Sequence, residues 1–198
     1  MTRLPKDIYP ESGFRLPTPK REDMDEYGKR VFEKVVGRGS GTIAGLRGPV
    51  GISLHSPRVA ELQHALIAYI RNESGLDAPI RELAILVAAR EMDSQFEWDA
   101  HEPIALKERL PPATIDAVKL RRGVARLPET EAVVIQFGRE MFRRKKVSSK
   151  TFARALNIFG PKQLVDIVSL MANYASTALK IRAFDVQLLP DKNRIPMP

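Results

Sequence analysis

The sequence predicts an all-α fold of about eight helices in one domain. Between prolines and glycines, apolar residues recur at spacings of three and four, the period of an amphipathic helix. No segment shows sustained alternation of apolar and polar residues, so no strand is predicted. The length of 198 residues and an apolar content of 43% are sufficient for one buried core.

In the N-terminal part of the chain, prolines mark the predicted helix starts and glycines mark the predicted loop and helix end. Residues 1–18 contain three prolines and are predicted to form an extended arm. A first helix over 19–36 begins at a Thr-Pro pair, which supplies an N-cap and a first helical position. Half of the 12 glycines then fall within 37–51 and predict a loop. A second helix begins at Pro57, after a serine cap, and ends at Gly75.

Six further helices complete the prediction, each bounded by a cap residue, a proline or a glycine. They cover about 78–92, 95–107, 112–121, 129–144, 150–158 and 161–184. The single domain is therefore predicted to span 19–190, and a polar tail occupies 191–198. No apolar run approaches the roughly 18 residues of a membrane span, and the N-terminus lacks the apolar core of a secretory signal. These observations predict a cytoplasmic protein.

The residue inventory excludes several chemistries. Cysteine is absent, so the chain has no disulfide, no thiolate nucleophile, no thiol peroxidase chemistry and no cysteine-based zinc site. Glu82, Glu97 and His101 are possible metal ligands by residue type, but with only three histidines in the chain no metal site is predicted.

The charge balance is basic, with 32 Lys and Arg against 24 Asp and Glu. A net charge of +8 attracts small acids or polyanions, and it also suits an ordinary soluble surface. A basic cluster has neither interleaved aromatic residues nor a nucleic-acid-reading motif, so it is interpreted as a solvated helix end. Its members are Arg139, Arg143, Arg144, Lys145, Lys146 and Lys150. The predicted partner is a small anionic organic molecule, and a nucleic-acid-binding protein is the weaker alternative.

The segment 81–101, RELAILVAAREMDSQFEWDAH, carries the main candidates for chemistry. If the two helices here form a hairpin that turns near Asp93, Glu82 and His101 face each other. Glu97 and His101 are four residues apart, so their side chains are neighbours on one helix. A histidine flanked by carboxylates is the usual apparatus of general acid/base catalysis.

Each of these residues also has a structural interpretation. Ser94 and Glu97 fit a capping box, in which each side chain satisfies a backbone N–H of the helix start. Glu82 lies in the first turns of its helix, where a carboxylate is favoured in any case. His101 could pair with Glu97 on the surface.

The stretch RELAILVAAREMDSQFEWDAHEPIAL resembles the core motif of the carboxymuconolactone decarboxylase/alkylhydroperoxidase D-like superfamily. Two further segments, LHSPRVAELQHAL and FGPKQLVDIVSLMANYASTALKIRAFDVQLLP, resemble the flanking helices of its decarboxylase-like branch. The resemblance covers about 30–190 and implies an alkylhydroperoxidase D-like helical domain. It also implies a homo-oligomer, a trimer or a hexamer built from trimers.

Carried over from that family, Glu82 and His101 match its glutamate and histidine. Ser94 and Glu97 stand where the peroxidase branch has two cysteines, so the peroxidatic sulfur is missing. The resemblance implies a cofactor-free decarboxylase, or a related lyase, isomerase or hydrolase, on a small organic acid or lactone of aromatic compound catabolism. The alternative is an oligomeric protein of the same fold that binds a small molecule without turnover.

The roles expected in such a site follow from residue chemistry. His101 is the proton donor or base, Glu82 orients it or relays the proton, and Glu97 is a second acid/base or a polar wall.

Further residues are candidates for substrate binding. Arg81 and Arg90 could hold a substrate carboxylate, although ordinary ion pairing explains both. Ser94, Tyr69 and His64 are candidates as well. A tyrosine in the core with a polar tip and a hydrogen-bonded structural histidine are the alternatives for the last two.

Overall fold

The structure is a computed structural model that describes residues 4–37, 40 and 42–188. Within those residues the chain forms eight α-helices and no strand, which confirms the predicted all-α class. The helices are α1 (Glu26–Val36), α2 (Pro49–Ser53), α3 (Pro57–Asn72), α4 (Ala78–Glu91), α5 (Gln95–Lys107), α6 (Pro112–Lys119), α7 (Glu129–Arg139) and α8 (Ser149–Ala183).

The described residues divide into two compact units. The first contains the residues up to Ala68 together with those from Leu179 onwards, and the second is Tyr69–Ala178. The predicted tail, 191–198, lies outside the described residues. The domain boundaries given above stay a prediction.

Within the first unit, the arm is not simply extended as predicted. Tyr9 forms an isolated antiparallel bridge with Phe14, closed by a turn in which Gly13 has a φ of 75°. Phe14 is fully buried, and the amide of Gln187 donates a hydrogen bond of 2.8 Å to the carbonyl of Gly13. The arm folds back because burying its apolar side chains is more favourable than exposing them to water.

Two elements of the first unit differ from the prediction: the start of the first helix and the glycine-rich loop. The predicted helix 19–36 becomes a short 3₁₀ turn followed by α1, which begins after Asp25 because that carboxylate accepts a hydrogen bond from the Gly28 amide at 2.7 Å. The predicted loop contains the additional helix α2. A Cβ at Gly51 would lie 2.0 Å from the Leu46 carbonyl oxygen, so this glycine permits a close backbone approach.

Helix α4 is the central helix of the second unit, and α5, α6 and α7 pack around it. Its residues from Glu82 to Arg90 are all buried, as expected for a helix that is apolar around most of its circumference. Gly138 of α7 allows this close packing, because a Cβ there would lie 2.4 Å from a methyl group of Val87. The central position of α4 holds Glu82 away from solvent.

Helix α8 covers the two helices predicted at 150–158 and 161–184. The backbone is broken at Gly160, whose φ of 68° is followed by Pro161, so the predicted boundary is present as a kink. By length and composition alone, α8 could also cross a membrane. The core helix of a soluble protein passes the same test, and α8 buries Leu164, Ile167 and Leu170 within its unit. The absence of a membrane span therefore stays a prediction.

A π-helical segment, Glu140–Arg144, joins α7 to the start of α8. Glu140 is 4% exposed and accepts hydrogen bonds from the Ser148 amide at 2.7 Å and the Thr151 hydroxyl at 2.9 Å. Gln136 donates a further hydrogen bond at 3.1 Å. Burial alone would raise the pKa of Glu140, but these hydrogen bonds lower it to about 2.

We expect Glu140→Gln to lower the free energy of unfolding at pH 7 by on the order of 2–3 kcal/mol. A carboxylate with a lowered pKa stabilises the fold above its unfolded value of about 4.5 and loses that contribution as the pH falls towards 2. Urea unfolding from pH 7 to pH 2 should therefore show the wild-type and variant curves converging. Glu129→Gln, on the exposed side of α7, is the control; a Glu140→Gln effect independent of pH would contradict the assignment.

Candidate functional site

Glu82 and His101 form a buried pair across the hairpin of α4 and α5. The turn between the helices passes through Asp93, which has a φ of 48°. His101 Nδ1 lies 2.8 Å from Glu82 Oε2, and the two residues are 3% and 1% exposed. The structure thus brings together the two residues that the hairpin argument placed face to face.

Tyr174 of α8 extends this pair into a chain of three residues. Its hydroxyl oxygen lies 3.0 Å from His101 Nε2, and the two rings meet edge to face with centroids 5.0 Å apart. Tyr174 is 8% exposed. No sequence spacing connects Tyr174 with His101, although a buried tyrosine hydroxyl generally requires a partner.

The hydrogen-bond geometry and the pKa directions together indicate where the protons of this chain lie. Burial would raise the pKa of Glu82, but the hydrogen bond from His101 and the charges of Arg71 and Arg81 lower it below its usual value. Burial lowers the pKa of His101 despite the nearby carboxylate. The ionised carboxylate can only accept, so Nδ1 of the neutral His101 carries the proton and Nε2 accepts the Tyr174 O–H.

Arg71, at the C-terminal end of α3, is the cation that acts on all three members of the chain. Burial raises the pKa of Tyr174, and the Arg71 guanidinium opposes that rise. The same positive charge lowers the pKa values of Glu82 and His101. Arg71 Nε is buried and has no hydrogen-bond partner among the described residues. No local pattern singles out Arg71, because its role depends on where the last residues of α3 lie within the second unit.

One face of α5 carries Glu97, Trp98 and His101, and the N-cap residue Ser94 continues it, at spacings of three and four residues. Ser94 and Glu97 are 7% and 3% exposed. The Ser94 hydroxyl makes no cap hydrogen bond and has no partner among the described residues, so the predicted capping box does not form. Helix α5 begins without it, since the Ser94 side chain is buried and does not reach the backbone N–H groups of the first turn.

The two arginine candidates have different positions. Arg81 lies beside the pair, with Nε 3.5 Å from Glu82 Oε1 and Nη1 3.4 Å from the Arg71 carbonyl oxygen. Arg90 is two helical turns further along α4, about 12 Å from Glu82. It donates to the Asp93 carboxylate and, at 2.9 Å, to the Lys119 carbonyl, so it holds the turn of the hairpin.

The structure gives the two remaining binding candidates, Tyr69 and His64, other surroundings. The Tyr69 hydroxyl lies 3.3 Å from Asp166 Oδ1, within a cluster that includes Lys162. His64 belongs to the first unit, where burial and the charge of Lys34 lower its pKa.

Metal and nucleic-acid sites receive little support. Among the described residues no group of three His, Asp or Glu side chains could hold a metal ion. Two members of the basic cluster have structural partners: Arg139 donates to two backbone carbonyls at 2.7 and 2.8 Å, and Arg143 pairs with Glu91.

Comparisons with known proteins identify the fold. Neither a family model nor a curated protein sequence matches the chain. A solved structure does match: an uncharacterised, peroxidase-related protein from Ralstonia eutropha JMP134, described as an alkylhydroperoxidase AhpD core. The TM-score is 0.69 over 90% of this chain and 94% of that chain, with 14% sequence identity. The chain therefore has the alkylhydroperoxidase D-like fold, as the sequence predicted.

Proposed function

We propose that this protein is a cofactor-free acid/base enzyme acting on a small organic acid or lactone. The activity is a decarboxylation or a related lyase, isomerase or hydrolase reaction. The observation that carries the proposal is the buried, fully hydrogen-bonded chain of Glu82, His101 and Tyr174. Self-association into trimers or hexamers belongs to the same proposal and rests on the resemblance. A cytoplasmic location also belongs to it and rests on the sequence pattern described above.

The chain supports proton transfer for two physical reasons. A neutral imidazole held in one tautomer by a carboxylate has a basic lone pair on its other nitrogen, which can take up a proton near neutral pH. Fixed groups of this kind contribute about 10²- to 10⁴-fold to a reaction rate. Because all three residues are buried, their dipoles act in a medium of low dielectric, where their influence on a developing charge is larger than in water.

A small acid also needs a cation for its carboxylate. Arg71 fits this role better than the sequence candidates Arg81 and Arg90, since its buried Nε has no hydrogen-bond partner among the described residues. Arg90 holds the hairpin turn, and Arg81 lies against Glu82 and the Arg71 carbonyl. A guanidinium beside the Tyr174 hydroxyl supports the binding of an anion next to the proton-transferring chain.

Thiol peroxidase activity is excluded although the structural neighbour is peroxidase-related. The chain contains no cysteine. By the resemblance, Ser94 and Glu97 stand where the peroxidase branch has its two cysteines. Neither a hydroxyl nor a carboxylate can replace the thiolate that attacks a peroxide.

A non-catalytic binding protein is the second candidate. The observation that favours it is the pair of buried donors on α5, Ser94 Oγ and Trp98 Nε1, which have no hydrogen-bond partner among the described residues. Buried donors without partners are rare, and a bound polar molecule would satisfy them.

The test is thermal unfolding with a panel of probes: pyruvate, acetoacetate, malonate, cis,cis-muconate and γ-butyrolactone. A ligand that binds only the folded state at 100 times its Kd stabilises it by about 2.7 kcal/mol. We expect at least one acid or lactone to raise the Tm of the wild type and of His55→Ala, whose side chain is exposed, but not of His101→Ala.

The outcomes separate the candidates. An equal Tm shift in wild type and His101→Ala would contradict a site at His101, and stabilisation without any turnover of the ligand would favour the binding protein. Consumption of hydrogen peroxide with a dithiol reductant, above a heat-denatured control, would overturn the exclusion of peroxidase activity.

A further inference from the structure

We propose that Tyr174, and not His101, is the group that exchanges a proton with the substrate, and that the resting chain of Glu82, His101 and Tyr174 begins by accepting a proton. This inference rests on the proposed function and deepens it. It changes the role assigned to His101 from the sequence, where this residue was the direct proton donor or base.

Neither ring nitrogen of His101 is open to a substrate. Its Nδ1 lies 2.8 Å from Glu82 Oε2 and its Nε2 lies 3.0 Å from the Tyr174 hydroxyl, so both nitrogens have partners within the protein. A substrate atom could reach either nitrogen only by displacing one of them. The Tyr174 oxygen donates its single proton to Nε2; one of its lone pairs faces the Arg71 guanidinium, which can donate to it, and the other can accept a substrate proton. Tyr174 is therefore the open end of the chain.

The position of the protons sets the direction of the first step. The neutral His101 can take a proton at Nε2, and Glu82 beside it would pair with the imidazolium. Donation first is unfavourable, because Tyr174 would be left as a phenolate at a buried position. The resting chain is thus a base.

The step balances without an oxidant or reductant. A C–H bond next to a substrate carbonyl breaks, and its electron pair stays on the substrate as an enolate. The proton bonds to the Tyr174 oxygen while the proton of Tyr174 passes to His101 Nε2. Reversal of the two transfers returns a proton to the same carbon or to another one.

This direction narrows the reactions open to the site. Isomerisation, and elimination that starts with C–H abstraction, begin with the proton transfer that the resting chain can perform. Direct decarboxylation begins with loss of carbon dioxide and then needs a donated proton. The substrate class is a small carboxylate with an acidic C–H next to a carbonyl group.

The test measures exchange of carbon-bound hydrogen in D₂O by proton NMR, with the full chain and two probes, pyruvate and acetoacetate. We expect the wild type to exchange their acidic hydrogens faster than buffer and heat-denatured protein do. Tyr174→Phe should slow this exchange by about 100-fold or more, the lower range for a lost acid/base group. Tyr27→Phe is the matched control, since it removes a hydroxyl that donates to Glu61 at 2.8 Å in the first unit.

A second measurement does not depend on turnover. In ¹⁵N NMR spectra of histidine-labelled protein at neutral pH, His101 should show a protonated Nδ1 and an unprotonated Nε2, and the Nε2 signal should move in Tyr174→Phe. The His101 signals are assigned by their loss in His101→Gln. A proton on Nε2 of the resting enzyme would overturn the direction of the first step.

The possible failures are distinguishable. Wild-type exchange that persists in Tyr174→Phe but disappears in His101→Gln would overturn the role of Tyr174 and leave the proposed function intact. No exchange of either probe by the wild type, with the His101 tautomer as expected, would contradict the acid/base enzyme itself and with it the catalytic role of Tyr174.

Discussion

Replacing Trp98 with alanine is expected to lower the free energy of unfolding by about 3 to 5 kcal/mol, measured by urea unfolding at pH 7. Trp98 is fully buried on α5, within the second unit. Its indole nitrogen has no hydrogen-bond partner among the described residues, so the loss is one of apolar contact and of the cavity that remains. The side chain shares a helix face with Glu97 and His101, and the cavity would loosen the site as well.

Two variants separate packing from other causes. Trp98→Phe keeps most of the buried volume and should lose less than half of what Trp98→Ala loses. Leu106→Ala on the same helix removes a side chain that is 49% exposed, and it should change stability by no more than about 0.5 kcal/mol. A Trp98→Ala effect as small as that of Leu106→Ala would contradict the burial of this face of α5.

Local signals predicted the second unit well. The central apolar run of α4 and the Ser94 boundary of α5 are sequence features, and α5 begins and ends within the predicted range 95–107. The pairing of Glu82 with His101 was accessible because both residues lie at a comparable distance from one hairpin turn, so no long-range information was needed.

The rest of the site depends on tertiary packing. Tyr174 is 73 residues from His101 along the chain, and Arg71 lies at the end of a third helix, so no spacing rule connects them to α5. The capping box of Ser94 and Glu97 does not form for a related reason. Its motif is local, but the Ser94 side chain is directed into the interior by the way α5 packs, and packing overrides a cap hydrogen bond of about 1 kcal/mol.

The buried chain of Glu82, His101 and Tyr174 is expected to lower the free energy of unfolding relative to apolar residues at the same positions. Stability therefore does not explain why these residues are present. Ionised Glu82 and neutral His101 both gave up hydration on burial, and a buried polar pair is often no more stabilising than apolar residues of similar size. A structural role would need only good packing at these positions. A role in proton transfer needs these residue types.

The second large effect is expected from Glu82→Leu and His101→Leu, made singly and together in a Tyr174→Phe background so that no hydroxyl is left without a partner. His101→Leu should destabilise by about 3 kcal/mol because it leaves a buried carboxylate without its histidine. Glu82→Leu should destabilise by about 2 kcal/mol, the cost of an unsatisfied buried N–H. The double variant should lie within about 1 kcal/mol of its parent, since both polar groups are removed.

Urea unfolding of the four proteins gives the coupling energy directly. If the losses are additive, the double variant will be destabilised by about 5 kcal/mol, the sum of the two single losses. That result would contradict the interaction that the 2.8 Å distance between the two side chains indicates. Because Tyr174→Phe is itself expected to slow the exchange of pyruvate and acetoacetate hydrogens, the activity assay compares the Glu82→Leu/His101→Leu double variant with Tyr174 retained against the wild type. A double variant that is as stable as its parent but unable to bind or process any ligand would show that the pair is dispensable for the fold and required for function.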